Sequence, residues 1–274
     1  MSNAASSFSP EHLAPLLTTR IIGRRAEFHD CIDSTNIRGK QLATSQSAHG
    51  MIVIANSQTA GRGRMTRIWQ SPPDCNIYFS LVLFPTIPPQ IVPQLALLCA
   101  LGVHQAMSQT VPAHTFGLKW PNDIWSEQGR KLSGILCEAV LCGSQTAVVA
   151  GLGINVNGLP ADFPPDIRQT AGTLSELANH PLDRIELLAT FLNAFEPLLD
   201  QWQTAQSLQP FMDTWNRFDI LRGTSIRVQN GDEIIEGIAD GILPDGRLVL
   251  ATPDGTSLIH AGDTHILSND TKVK

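Results

Sequence analysis

The sequence predicts an α+β fold in two unequal units, and three observations predict it. Between residues 26 and 220, short apolar runs of strand type alternate with helix candidates. One of these helices, Val92 to Met107, is apolar around most of its girth and therefore belongs inside a core. From about Arg222 the pattern changes to short alternating runs separated by Pro244-Asp245-Gly246 and Pro253-Asp254-Gly255. That turn chemistry over some fifty residues is the signature of a small β-barrel. The expected division is an N-terminal extension over 1–25, a larger unit over 26–220 and a small C-terminal unit over 221–270.

Taken in order, Glu11 to Leu17 is a short helix candidate broken by Pro15. Ala26 to Cys31 reads as a strand, and Asp33-Ser34-Thr35-Asn36 opens a helix running to Ala43. Ser34 there is an N-cap candidate, and a helix start is also an anion site. Met51 to Ala55 and Asn76 to Phe84 are strands, the second ended by Pro85, Pro88 and Pro89. A short strand stops at Pro121, Trp125 to Lys131 reads as a hairpin connection, and strands follow from Lys131 and around Val148. Thr173-Leu174-Ser175-Glu176 is a capping box, and Asp183 to Glu186 is a similar cap opening a helix through Gln203. Pro210 marks the first turn of a further helix ending near Phe218. In the C-terminal unit, strands are expected around Ile226–Val228, Ile234–Ile238, Arg247–Leu250 and Ser257–Ala261.

Composition excludes several function classes. With 42% apolar and 16% charged residues among 274, the chain folds rather than remaining disordered. Its formal charge, 19 − 25 = −6, argues against a generic nucleic-acid binder. The cysteines (Cys31, Cys75, Cys99, Cys137, Cys142) are odd in number and form no C-x-x-C, so they read as mostly buried, reduced thiols. No histidine spacing suits a metal, and no metal ligand is assigned. No apolar run approaches membrane-spanning length and no apolar signal core opens the chain, so a cytoplasmic protein is expected.

Four segments carry chemistry. Gln58 to Trp69 holds Gly61 and Gly63, where backbone N–H groups can approach an anion, and Arg62, Arg64 and Arg67, whose planar forks match phosphate and carboxylate oxygens. It is neither a Walker loop nor G-x-G-x-x-G. Lys119-Trp120-Pro121-Asn122-Asp123 places a cation, an amide and a carboxylate around a forced turn. In Arg130-Lys131-Leu132-Ser133-Gly134, a glycine inside a strand implies that something must come close to the backbone. Gly151 and Gly153, two apart, share one strand face and leave a bare strip on which a flat ring could lie; Asn155 ends that strand.

Together with Asp33-Ser34-Thr35-Asn36, these segments resemble the biotin protein ligase family in order and spacing, over roughly Phe28 to Leu267. The resemblance implies a central mixed β-sheet flanked by helices, with an SH3-like C-terminal barrel. It implies ATP and biotin as substrates, with Mg²⁺, and a biotin carboxyl carrier protein as the acceptor. Ser34, Thr35, Asn36, Gln58, Gly61, Arg62, Gly63, Arg64, Trp69, Lys131 and Gly134 match the positions around biotin. Arg64, Trp69, Asn122, Lys131, Gly151, Gly153 and Asn155 match those around the nucleotide, and Arg64, Lys131 and Asp123 the reacting centre. No covalent enzyme nucleophile is required.

Two departures stand out. The family's loop often continues with a second Arg-Gly-Arg, where this chain has Met65-Thr66-Arg67. The residues before Phe28 are too few for the DNA-binding winged helix of one class of the family, so no DNA partner is expected, nor a membrane; a weak homodimer is compatible. A lipoate or octanoate ligase, a non-catalytic biotin-sensing regulator and a degenerate binding module are the competing readings.

Overall fold

A computed structural model describes residues 9–143 and 145–267. The first eight residues of the expected N-terminal extension and residues 268–270 of the expected C-terminal unit lie outside the described residues. Helix α1 (Pro10–Leu13) passes into a single tighter turn at Ala14–Leu16. Strand β1 (Ala26–Ile32) is followed by α2 (Thr35–Leu42), β2 (Ile52–Gln58) and β3 (Ile77–Leu83). Next come α3 (Gln94–Thr110) and four strands: β4 (Phe116–Lys119), β5 (Asp123–Ser126), β6 (Lys131–Cys142) and β7 (Gln145–Ile154). Helices α4 (Leu174–Ala178), α5 (Arg184–Ala205) and α6 (Met212–Phe218) precede the C-terminal strands.

The first seven strands form one sheet in the order β1-β2-β3-β7-β6-β5-β4. It is mixed, because β1 and β2 are parallel while the other neighbours are antiparallel. Alternation along β3 shows how its faces divide: Phe79, Leu81 and Leu83 join the main core against α3 and α5, while Val82 joins a small cluster with Ala43, Ala48, Ala147 and Val149 beside α2. Phe79 meets Phe191 of α5 edge-on at 5.4 Å, and each such fully buried side chain is worth roughly 1.5–3 kcal/mol. The α2 face lacks that thick apolar layer, and a cleft opens there.

Helix starts follow local chemistry. Thr173 and Glu176 form the capping box of α4, and the Asp183 carboxylate accepts from the N–H groups of Ile185 and Glu186 at the start of α5. Glu196 of α5 accepts from the N–H groups of Ile21 and Ile22 at 2.8 and 2.9 Å, fastening the N-terminal segment to the core.

The C-terminal strands are β8 (Ser225–Asn230), β9 (Glu233–Ile242), β10 (Leu248–Thr252), β11 (Gly255–Ile259) and β12 (Asp263–Ile266). They form a second, antiparallel sheet in the order β11-β10-β9-β8-β12. Three details differ from the sequence reading. Trp125 lies in β5 rather than in a connection, because Ile124 and Ser126 are buried on one face; the turn is confined to 127–130, with Gly129 at φ 74°. Strand β12 was absent from the expected set, since Asp263-Thr264-His265 carries no apolar alternation and owes its place to pairing with β8. Of the five cysteines, only Cys99 is fully buried; Cys31 is exposed because β1 is an edge strand.

Candidate active site

The cleft, about 670 Å³, has the size of a small-molecule site. One end is built from α2 and the central strands. Ser34 occupies the cap position of α2 but makes no side-chain cap bond; it lies buried at the cleft wall. Thr35 donates its backbone N–H to Gln58 Oε1 at 2.9 Å, and Gln58 Nε2 donates to Ser71 Oγ at 2.8 Å. Ser80 Oγ donates to Asn36 Oδ1 at 2.6 Å and lies 2.8 Å from Thr35 Oγ1. Asn36 Nδ2 donates to Glu138 Oε2 at 3.0 Å. The amides of Asn36 and Gln58 are thereby oriented on both sides.

Close approach explains the glycines. A Cβ on Gly151 would stand 1.9 Å from Asn36 Oδ1, and one on Gly153 would stand 2.2 Å from Trp69 Cε2. Gly134, paired with Gly153 across β6 and β7, would place a Cβ 2.9 Å from Trp69 Cζ3. The flat ring resting on the bare strip is therefore the indole of Trp69. Gly61 corrects the expectation: it does not line the cleft, because its Cβ position is closed by Trp69 O at 2.3 Å and Ser71 Oγ at 2.7 Å. Its role is to let the two arms of the arginine segment meet at their neck, where Trp69 N donates to Gly61 O.

The other end is ionic. Arg64 Nη1 donates to Asn122 Oδ1 at 3.3 Å, and Lys131 Nζ lies 2.7 Å from Asp123 Oδ1, an ion pair without hydrogen-bond alignment. Adjacent residues of one turn thus hold the two cations. Lys131 also sits 5.6 Å above the Trp69 ring. Burial pulls the Arg64 guanidinium below its ordinary value, opposed by Asp263 and Asp123, and it remains a cation. Burial likewise lowers Lys119, which donates to Thr264 O at 2.9 Å. Burial alone would raise the Glu138 carboxyl, but hydrogen bonds from Lys40 and Asn36 and the charge of Arg62 outweigh it and hold it below its ordinary value.

Every expected site residue except Gly61 faces this one cleft. Asn155 is buried, its Nδ2 3.4 Å from Lys131 O, whereas Asn157 turns away to Leu182. The sequence reading missed Glu138, Ser71, Ser80, Asp263 and Thr264. Glu138 was within reach of a period-two argument, since it shares a face with Gly134 and Leu136. Asp263 was not, because no local motif marks it. Among the described residues, no group of three or more His, Cys, Asp or Glu could hold a metal, and no helix is long and apolar enough to cross a membrane.

Comparison with known proteins bears on this geometry. Residues 28–155 match the model of the "Biotin/lipoate A/B protein ligase family", and residues 223–264 that of the "Biotin protein ligase C terminal domain". The chain is 35% identical to the bifunctional ligase/repressor BirA of Bacillus subtilis over 251 residues, covering 91% of this chain and 76% of that protein. It is 33% identical to the biotin–[acetyl-CoA-carboxylase] ligase of Mycobacterium tuberculosis, covering 81% of each. Among solved structures it is similar to the biotin protein ligase of Aquifex aeolicus in complex with biotin and ATP, with TM-score 0.76 and 30% identity over 89% of this chain and 99% of that one.

Proposed function

Since the chain belongs to the biotin protein ligase family, we propose that this cleft activates biotin with ATP and passes it to a lysine of a biotin carboxyl carrier protein. The observation that carries the reading is the meeting of Arg64 and Lys131, from separate segments, in one cleft beside the Ser34–Thr35–Asn36–Gln58 cluster. A carboxylate does not react with an amine at neutral pH until one oxygen becomes part of a leaving group. The biotin carboxylate attacks the α-phosphate of ATP; an O–P bond forms and pyrophosphate departs with the electron pair of the broken bond. Arg64 and Lys131 stabilise the charge that develops on the phosphorus oxygens. A carrier lysine then attacks the acyl carbon of biotinyl-5′-AMP; an amide forms and AMP leaves. Asp123 is the carboxylate that orients this amine and takes its proton.

The hydroxyls and amides around Asn36 and Gln58 suit a ureido ring, which offers one carbonyl and two N–H groups. We assign Asn122 and Asn155 to the nucleotide side together with Gly151 and Gly153, whose bare strip acts there through the side chains it seats, Asn36 against Gly151 and Trp69 over Gly153. Mg²⁺, if it takes part, would offset charge on the phosphates; among the described residues the carboxylates beside the cleft, Asp123 and Asp263, are paired with Lys131 and Arg64, so such an ion would be held mainly by phosphate oxygens. We read the C-terminal strands as an SH3-like barrel, supported by their short lengths and tight turns. With this reading we expect a cytoplasmic protein without DNA or membrane partners, and a weak homodimer is compatible with it.

Pyrophosphate exchange into ATP tests the proposal, run with biotin beside lipoate and octanoate. Exchange dependent on biotin is expected. Exchange with lipoate or octanoate but not biotin would move the protein to the acyl-chain branch of the family, and exchange with none would refute the reaction.

A further inference from the structure

We propose that Glu138 is a positioning residue that sets the direction of a hydrogen-bond chain behind the cleft wall, so that Thr35 and Gln58 meet the ligand as acceptors and select a ring carrying N–H groups. The identity of that ring rests on the ligase reading; the direction of the chain does not.

The chain runs Glu138–Asn36–Ser80–Thr35. Thr35, Asn36 and Gln58 line the cleft, and Ser80 and Glu138 stand behind them. A carboxylate only accepts hydrogen bonds, whereas a side-chain amide can turn over and exchange its donor and acceptor ends. Glu138 Oε1 accepts from Lys40 Nζ at 2.8 Å, and Lys40 and Asn36, four apart on α2, share a helix face. Arg62, bridged to Ile68 in the hairpin of residues 61–69, lies 3.4 Å from the same oxygen. Glu138 is an anion at neutral pH, because burial, which would raise its carboxyl, is outweighed by the bonds from Lys40 and Asn36.

Only the amino end of Asn36 can therefore face it. Nδ2 donates to Glu138 Oε2 at 3.0 Å and to Leu136 O at 3.3 Å. That leaves Oδ1 toward Ser80, whose hydroxyl donates across 2.6 Å. A hydroxyl has one proton. Ser80 has used its own, so the proton in the 2.8 Å contact between Ser80 and Thr35 comes from Thr35. Thr35 Oγ1 then turns lone pairs, and no proton, toward the cleft. Gln58 is fixed in the same sense. Its Oε1 accepts from the Thr35 N–H, and its Nε2 donates to Ser71, which uses its own proton on Trp69 O. Thr35 Oγ1 and Gln58 Oε1, 3.2 Å apart, are thus two acceptors with no proton between them. A ligand N–H set against them relieves both. A dithiolane ring or an alkyl chain brings no donor and leaves them unpaired.

The test is Glu138→Gln. Lys40 holds the one remaining oxygen, which turns the new NH2 group toward Asn36; Asn36 must then turn over or meet it donor to donor. Biotin binding, read by calorimetry, should weaken roughly 10- to 100-fold, with kcat and the KM for ATP within about threefold of wild type. Lys40→Met in that background frees the oxygen for Asn36, and should return biotin binding to within about threefold of wild type although it deletes a cation. A Glu138 that merely pairs with Lys40 predicts no such recovery. Ser80→Ala cuts the chain midway, so adding Glu138→Gln to it should weaken biotin binding no further. Wild-type binding in Glu138→Gln, no recovery on removing Lys40, or additive losses with Ser80→Ala would each overturn the proposal. If the wild type binds no biotin, the ligase reading falls and urea midpoints decide the chain. Stability lost in Glu138→Gln and regained with Lys40→Met upholds it, and a failure to regain it overturns it.

Discussion

Replacing Gly153 by alanine should unseat the Trp69 indole and carry the arginine hairpin with it. The new methyl carbon would lie 2.2 Å from Trp69 Cε2 and 2.4 Å from Nε1. Non-bonded carbons settle at about 3.5–4.0 Å, so one partner must yield by about 1.3 Å or more. Strand β7 cannot, because it is hydrogen-bonded to β3 on one side and β6 on the other. Trp69 must lift, and Gly134 and Lys131 lose their contact with it. Overpacking of this kind costs about 1–3 kcal/mol, or roughly a 5- to 150-fold loss if it falls on ligand binding. Biotin-dependent pyrophosphate exchange measures the loss, and urea unfolding measures the part borne by the fold. Trp69→Ala in the Gly153→Ala background should restore fold stability to that of Trp69→Ala alone, because the clash has no second partner. A Gly153→Ala enzyme with wild-type KM values, or a double variant with no recovery, would refute the account of the strip as an indole seat.

Other outcomes follow from the same geometry. Arg62 lies 3.4 Å from Glu138 and is 43% exposed, so Arg62→Ala should weaken closure by no more than about 1 kcal/mol and speed release of free adenylate roughly two- to fivefold; an unchanged release rate counts against it. Thr66 takes φ of 62° at the hairpin tip. Thr66→Gly removes a strain of about 1–2 kcal/mol but adds open-state entropy, so exchange over 61–69 should slow only about two- to fivefold; faster exchange would mean the tip is not strained. His104 is buried, and burial pushes its imidazole down to about 4 from 6.5. Between those values the unfolded chain takes up a proton that the folded one refuses, so stability is complete above pH 6.5 and falls as the pH drops toward 4, by about 3 kcal/mol at most. His104→Leu should flatten urea midpoints across that range, and a slope identical to the wild type would contradict the burial argument.

Much of this protein was legible in the residues alone. Hydrophobic period, caps and Pro-Asp-Gly turns are local properties, so most of the strands, the buried α3 and the capped α4 and α5 could be read directly, while β5 and β12, which lack a clear period, could not. Glycine inside a strand announces a close neighbour, so Gly134, Gly151 and Gly153 could be singled out before that neighbour was known. Tertiary structure decided what those neighbours are. Trp69 and Asn36 reach the strip from segments far away in sequence, and Asp263 faces Arg64 and Arg67 only because β12 pairs with β8. No window of sequence contains such a contact, since its energy exists only once two sheets are in place. The residues declare which groups are chemically able to hold an activated acyl-nucleotide; the packing of two sheets determines which of them are already held, and by what.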